Sequence, residues 1–496
     1  MTKEDKKSKI KLFGCIFGIV ILFTLILYPY NYCSDYYNLV MDGYTEYANY
    51  WYASAGRTVG MLVLYLMDFL NVDMKVYIFI MKIFALIIAT CSIYIFTNMC
   101  FNRLKQLKEN TSKSLKITVI VAALITFLNM GSYQFFYYAE SAVMWLGVLL
   151  TVIAVRFTIN KDDKLRYLEA FIALYFAMNC YQATILLYIP MTLLFVGLDK
   201  TKIKELLFEV IKLSLVVAVC LGLGYIIIQL LNDYFDITPF RNNAIAIRLE
   251  AFLTTLSNLI LLDFEEYPNY FYASIYSIII ILSMLLKKVE YKNRKAISVL
   301  TITFIILSAF LQVFLIVSLI DFYIADRIVF SYYAVFGLSI LYFIMYTKVF
   351  ENRMFLDLIT ALLIGFMIYM IINANYFSVL HRIARVQDNN EGYDIANEIK
   401  KYEKESGCKI TKIVYCEDLN VNYDWPNLRV CGDPTFRLFA SEWVIENLIE
   451  YYSGNKIESC IENSDVLVDI FDFEDWDEFS VDQMVFEKDT MYFCIY

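Results

Sequence analysis

Chemistry in this chain has to come from carboxylates and guanidinium groups, and the residues that could supply it fall at a few places. Asp35 lies near the start of a tyrosine-rich segment, YPYNYCSDYYNLVMDGYTEYANYWYASAGR, that runs from Tyr28 to Arg57. Glu140 sits in FYYAESAVM, Phe136 to Met144, and Tyr181-Gln182 follows forty residues on. Arg327 and the pair Arg241 and Arg248 complete the set. A positioned carboxylate takes the proton of an attacking hydroxyl, a contribution of about 10²–10⁴-fold. Arginine holds a departing phosphate by paired hydrogen bonds better than lysine does. Asp35 is therefore the first candidate base and Glu140 the second, with Arg57, Arg327 and Arg241 as candidate phosphate ligands and Tyr181 and Gln182 as substrate contacts. Each has a structural alternative. The aromatic residues suit an interfacial belt, Asp42 and Glu46 suit a solvated loop, and Glu140 suits the N-terminus of the helix that follows it. Arg327 also suits a pair with Asp321 or Asp326.

Other chemistries are excluded by composition. One histidine, His381, leaves no Ser-His-Asp triad in the apolar part and no HExxH site, so we expect His381 only to mark the end of the last apolar run. No GxxxxGK[ST] or GxGxxG string is present to cradle a nucleotide phosphate. The eleven cysteines form no CxxC pair, and no cofactor or metal is expected. The acidic run DFEDWDE, Asp472 to Glu478, reads as a solvated loop.

These residues must be held by a membrane protein. Hydrophobic residues make up 60% of the 496, charged ones only 19%, and the mean hydropathy is +0.56, beyond the usual 45–50% apolar usage of soluble domains. Eleven apolar runs approach the roughly 20 helical residues needed to cross a hydrocarbon core: 10–30, 76–99, 117–130, 142–158, 168–180, 183–198, 206–231, 271–286, 297–320, 329–346 and 355–375. With the N-terminus inside, 23 lysines and arginines fall in cytoplasmic segments and only five (Arg57, Lys75, Arg241, Arg248 and Arg327) in outer loops. The expectation is a multi-pass cell-membrane protein, N-terminus cytoplasmic and C-terminal part extracytoplasmic. The first run is too long for a cleaved leader and no A-x-A site follows it, so it reads as a retained span.

Two hairpins are short for two crossings. The turn Asn179-Cys180-Tyr181-Gln182 and the turn GSYQFFYYAES, which carries Glu140, should both be recessed in an outward-opening cavity. Residues 58–72 and the long loop 232–270 read as containing interfacial helices. The fold class is mainly α, a transmembrane bundle over 1–375, with a small extracytoplasmic α/β domain over 376–496. That tail holds 25 acidic and 11 basic residues, a charge of −14 within a total of −9, and the rest carries +5. In the tail a helix is expected up to a stop at Gly407, strands at 412–415, 466–470 and 491–496, and a helix at 441–452. Its five cysteines (Cys408, Cys416, Cys431, Cys460 and Cys494) suit either two disulfides or buried thiols. Nothing points to a nucleic-acid partner.

Three strings resemble the GtrII-type glucosyltransferase family, membrane-embedded enzymes that use polyprenyl-phosphate sugars and have a GT-C-like layout. Ser34-Asp35 followed by the aromatic run to Gly56-Arg57 is similar to that family's acidic pair and GR motif. FYYAESAVM resembles its aromatic-Arg-x-acid-Ser segment with Glu140 as the acid, and Tyr181-Gln182-Ala183 its YQA turn. Order and spacing agree over about the first 200 residues. Ser34 departs from the first acid of the pair, and Asn38 stands where the family tends to have arginine. If that arginine grips phosphate, Arg57, Arg327 or the Arg241/Arg248 pair must substitute.

The resemblance implies an inverting hexosyltransferase, moving glucose from a lipid-phosphate carrier to a cell-surface glycan on the outer face. Its partners would be that donor, the glycan acceptor and membrane lipid. Two alternatives stay open. A flippase or transporter for lipid-linked glycans would show internal repeats and midplane charges, and neither is visible here. A polysaccharide polymerase shares nearly all these features.

Overall fold

The computed structural model describes residues 3–25, 33–108, 111–237, 295–317, 327–328, 330–346, 352–418, 437–440, 444–476 and 479–495. In chain order the helices are α1 (Lys3–Phe23), α2 (Ser34–Tyr47), α3 (Thr58–Phe69), α4 (Met74–Leu107), α5 (Lys113–Phe127), α6 (Met130–Tyr137), α7 (Ser141–Ile159) and α8 (Arg166–Cys180). They continue as α9 (Tyr188–Val196), α10 (Ile203–Phe235), α11 (Lys295–Val317), α12 (Phe330–Tyr346), α13 (Arg353–Ser406), α14 (Ile445–Ser453) and α15 (Asp465–Asp469). Among the described residues four strands, β1 (Lys412–Glu417), β2 (Ser459–Glu462), β3 (Met484–Glu487) and β4 (Thr490–Ile495), all belong to the tail. The chain divides into two units, residues 1–25, 48–136 and 140–375, and residues 26–47, 137–139 and 376–496.

The first unit is a helical bundle. Its start signals are local: Asp73 accepts from the Lys75 and Val76 amides at the head of α4 (2.9 and 3.2 Å), and Ser112 accepts from the Leu115 amide at the head of α5 (3.1 Å), satisfying donors that a helix start leaves open. α7 packs against α4 and α8, α12 against α5, and α11 against α9 and α12. The α5–α12 approach is close: a Cβ on Gly337 would lie 2.3 Å from Thr126 Oγ1 and 2.6 Å from the Ala122 carbonyl oxygen. Glycine is the residue that lets these two backbones touch.

Among the described residues, four helices (α4, α7, α10 and α13) are long and apolar enough to cross a membrane, and α5 with α6, bent by 60°, makes a fifth if the pair is one span. The expected eleven are therefore not confirmed. The run at 168–180 falls in α8, whose 15 residues rise only about 22 Å at roughly 1.5 Å each. The run at 183–198 starts as a 3₁₀ turn, Gln182–Leu187, before α9 begins. The helix of the first run stops at Phe23, and the run at 271–286 lies outside the described residues. The tyrosine-rich segment, expected as a loop, is helical over α2, which is kinked at Gly43, and then forms a π-turn, Ala48–Tyr52. α3 confirms a short helix after Arg57, with Leu62, Leu66 and Phe69 exposed along it.

The second unit is built on a four-stranded sheet of order β2-β1-β4-β3. β1 runs parallel to β2 and β4, with Ile413 opposite Cys460 and Met491, and β3 is antiparallel to β4. α14 buries Ile445, Leu448, Ile449 and Tyr452, the i, i+3, i+4, i+7 stripe of an amphipathic helix. It lies against α2, where Asn447 Nδ2 donates to Asn38 Oδ1 at 2.9 Å and the Tyr37 ring meets Tyr451 edge-on at 5.1 Å. Asn38 is thus a buried packing partner of the tail. The expected strand at 466–470 is instead the helix α15. Asn463 accepts through its side chain from the Asp465 amide (3.0 Å) and through its carbonyl from the Val466 amide (3.2 Å), and such an Asx turn starts a helical turn rather than a strand. The other expectations at 412–415 and 441–452 correspond to β1 and α14, and β4 covers 490–495. The helix expected to stop at Gly407 is the end of α13.

His381, expected only to mark the end of an apolar run, is fully buried, its ring edge-on to Tyr137 at 4.7 Å. Nearby on α13, buried Asp388 accepts from Arg437 Nε (2.7 Å) and the Leu438 amide (3.2 Å), and pairs with Arg385 at 2.9 Å. Arg437 Nη2 reaches Glu391 at 2.5 Å. Charges buried this deeply persist only when paired. Cys408, Cys416, Cys460 and Cys494 are free thiols, of which Cys416 and Cys494 are buried, Cys460 half-buried and Cys408 exposed, so the buried-thiol reading holds for Cys416 and Cys494. Cys431 lies outside the described residues.

Candidate active site

The site in the first unit is assembled from three chain breaks. The first is the turn into α3. Gly56 has φ +67°, and a Cβ there would lie 2.4 Å from Ile228 Cγ1 on α10. Only glycine turns the chain there without strain or collision, and the turn delivers Arg57.

The second break separates α5 from α6. Asn129 Oδ1 accepts from the Ser132 amide (3.1 Å) while Ser132 Oγ accepts from the Asn129 amide (3.0 Å), and Asn129 Nδ2 reaches the Thr126 carbonyl (3.0 Å). These reciprocal bonds satisfy the backbone that the bend frees, a requirement wherever a helix is interrupted away from water. After α6 the chain reaches Glu140 at the N-cap position of α7. Its carbonyl accepts from the Val143 and Met144 amides (2.8 and 3.1 Å), yet its side chain caps nothing. The carboxylate instead receives Arg57 Nη1 at 3.2 Å.

The third break is Tyr181, extended at φ −161° and ψ 116° between α8 and the 3₁₀ turn. Asn179 and Tyr181 are buried in protein here. Asn179 Oδ1 accepts from Thr58 Oγ1 at 2.6 Å, and Gln182 Nε2 donates to the Ala55 carbonyl. The Arg57 guanidinium lies 5.0 Å over the Tyr181 ring and 6.0 Å from that of Tyr52, within cation–π range.

The electrostatics follow from this packing. Burial works against the charged Arg57, but Glu140 and then Tyr181 and Tyr52 more than offset it, so its pKa stands above the ordinary arginine value. Arg327 pushes the other way, being close enough to repel Arg57. Arg327 is itself held through its amide and Nη1 by Gln134 Oε1, at 3.3 and 3.2 Å. Two guanidinium groups therefore share a neighbourhood. Arg57 Nε, Glu140 Oε2, Ser141 Oγ and Trp145 Nε1 are buried there without a hydrogen-bond partner among the described residues. Buried polar atoms left open cost roughly 1–3 kcal/mol each, a cost that a polar ligand would relieve. Phe135 meets Tyr181, Trp145 and Phe330 at 5.5, 6.0 and 5.0 Å and forms an aromatic wall.

Of the residues singled out from the sequence, Arg57, Glu140, Tyr181, Gln182 and Arg327 come together in this unit. Asp35 belongs to the other unit, half-buried in the first turn of α2. Arg241 and Arg248 lie outside the described residues. Sequence reasoning passed over Gln134, Ser141, Trp145 and the Thr58–Asn179 pair. Their signal was positional: Gln134 is a polar residue beside an aromatic pair, and Thr58 directly follows Gly56-Arg57. Among the described residues no three His, Cys, Asp or Glu side chains are grouped to hold a metal ion.

A protein-family model described as glucosyl transferase GtrII matches residues 26–349, more than half of the chain, including every candidate site residue named above. No curated protein matches the sequence.

Proposed function

The chain belongs to the glucosyl transferase GtrII family, and from that premise we propose that this glycosyltransferase takes glucose from a polyprenyl-phosphate carrier and passes it, with inversion, to a cell-surface glycan outside the membrane. The carrying observation is the buried Arg57–Glu140 pair, around which Arg57 Nε, Ser141 Oγ and Trp145 Nε1 are still open as donors and Glu140 Oε2 as an acceptor. Those open groups favour a polar ligand at Arg57, for which the phosphate of the donor is the proposed occupant. In the transfer, an acceptor hydroxyl oxygen bonds to the anomeric carbon as the bond from that carbon to the phosphate oxygen breaks. The proton goes to a carboxylate and the electron pair leaves with the phosphate, whose growing charge Arg57 and Arg327 stabilise. Gln182 and Asn179 keep Arg57 and α3 in place.

Two carboxylates are proposed for the proton, Asp35 in one unit and Glu140 in the other. Glu140 already accepts from a guanidinium, which favours a role in positioning Arg57, and Asp35 is the proposed base.

The test is transfer by the purified protein in lipid nanodiscs, with polyprenyl-phosphate glucose as donor and a surface glycan as acceptor, followed by product mass. A gain of one hexose per acceptor is expected from the lipid donor and none from UDP-glucose. Equal transfer from UDP-glucose would overturn the donor assignment. Addition of long hexose runs would make the enzyme a polymerase instead.

A further inference from the structure

A polar cavity lies in the first unit, away from the groups described above. It measures about 620 Å³ and is bounded by the first half of α1, the C-terminal half of α4, the start of α5 and the last turn of α7. Lys9, Lys105, Lys116 and Arg156 line it together with Tyr94 and Asn98, and no carboxylate occurs among its described lining residues. Lys105, Lys116 and Arg156 are exposed in it.

Cations near helix C-termini are often explained by the helix dipole, and Lys105 and Arg156 sit in such last turns. That explanation does not account for this cavity. The C-terminal ends of α4 and α7 bring about half a negative charge each, and the N-terminal end of α5 about half a positive charge. The remaining negative charge, roughly one half, is smaller than the three positive charges of Lys105, Lys116 and Arg156. Asn98 spends one N–H on the Tyr94 carbonyl at 2.9 Å, and its amide keeps a second donor. Tyr94 is fixed by Phe13, edge-on at 5.6 Å. A fixed donor among several cations is the composition of a phosphate site. Leu12, Ile95 and Phe101 also line the cavity, and such apolar surface is not used by a free anion but is by an acyl chain. Lys9, Lys105 and Lys116 are among the residues that the lysine and arginine bias assigns to the cytoplasmic side, where the leaflet carries anionic lipid.

We propose that this cavity binds the phosphate head group of an acidic membrane phospholipid. The proposal is independent of the donor and acceptor of the transfer reaction.

The experiment is native mass spectrometry of the full-length protein released from detergent micelles holding equal amounts of phosphatidylglycerol and phosphatidylcholine. Preferential retention of phosphatidylglycerol is expected. Lys105→Gln, Lys116→Gln and Arg156→Gln should each weaken it about fivefold, and the triple variant about a hundredfold. Lys113→Gln, an exposed neighbour that does not line the cavity, should leave retention unchanged, which separates a local site from loss of overall charge. Equal retention of the two lipids would overturn the proposal, as would triple-variant protein that keeps its circular dichroism spectrum and its phosphatidylglycerol. Complete displacement by millimolar inorganic phosphate would assign the cavity to a soluble anion and overturn the lipid source.

Discussion

Arg57 and Glu140, 83 residues apart in the chain, form a 3.2 Å ion pair in which the carboxylate is 3% exposed and the guanidinium 21%. Removing one partner leaves the other charge buried, which costs about 3–5 kcal/mol for a fully buried pair, with the lower end fitting the partial exposure of Arg57. Glu140→Gln should therefore lower the melting temperature clearly, and Arg57→Leu with Glu140→Gln should regain part of the loss. A thermal-shift series on the two single variants and the double variant reads this directly; additive losses would show that the pair does not act as a unit.

Arg57→Lys keeps a charge but not the planar fork. If Arg57 stabilises the leaving phosphate, kcat should fall about 10²–10³-fold with a modest change in KM. Single-turnover transfer from the lipid donor measures the chemical step, and an unchanged rate there would remove Arg57 from the chemistry.

Asp35→Asn separates the two proposed carboxylates. A base must be deprotonated, so wild-type kcat/KM should fall at acid pH. Asp35→Asn should cost about 10²–10⁴-fold at neutral pH and lose that acid limb. If Glu140→Gln flattens the limb and Asp35→Asn leaves it intact, the assignments exchange.

Asn38 accepts from Asn447 at 2.9 Å within the second unit. Asn38→Ala leaves a partly buried amide unsatisfied, a loss of about 1–3 kcal/mol. Faster amide hydrogen exchange in α2 and α14, with the sheet unchanged, is the expected signature. Asn38→Arg, the residue type that similar enzymes tend to carry there, should be still more disruptive because the position is 1% exposed.

Lys412 holds the Asp489 carboxylate below its ordinary value, mainly through the hydrogen bond it donates at 2.8 Å. A carboxylate with a lowered folded-state pKa adds stability that is complete above the unfolded value, about 3.9, and is lost as pH falls through the folded value. Acid should thus loosen the β3–β4 turn, and Lys412→Met should erase that part of the acid dependence. Hydrogen exchange of the Lys412 and Thr411 amides, both bonded to the Asp489 carbonyl, would report it.

Much of the site was legible as strings, because a glycine forced into a left-handed turn and a polar turn between apolar runs both leave local marks. Gly56-Arg57, Glu140 and Tyr181-Gln182 were recognisable one by one. Their meeting was not, since it depends on how α3, α6 and α8 end against one another, and no periodicity encodes that. Glu140 had the position of a helix cap, and only the three-dimensional arrangement turned its side chain to Arg57. The span count is not confirmed for a related reason. Apolar runs of 13 to 18 residues were counted as crossings, whereas Asn129 and Tyr181 interrupt the helices with satisfied polar turns. In the tail, the run VLVDI at 466–470, apolar at four of its five positions, suits a strand or a buried helical turn equally well, and Asn463 decided between them. β2 and β3, four residues each, were too short to stand out.

The contact between Gly337 and the Ala122–Thr126 stretch also bears on how the protein is made. These partners are about 200 residues apart, so at a synthesis rate of about 5–20 residues per second the interval between them is roughly 10–40 s. For that time α5 lacks the helix that covers its Ala122–Thr126 stretch. A ribosome pause or an early stop between the two would strand the N-terminal helices in a state that quality-control proteases can recognise, before any enzyme exists to be assayed.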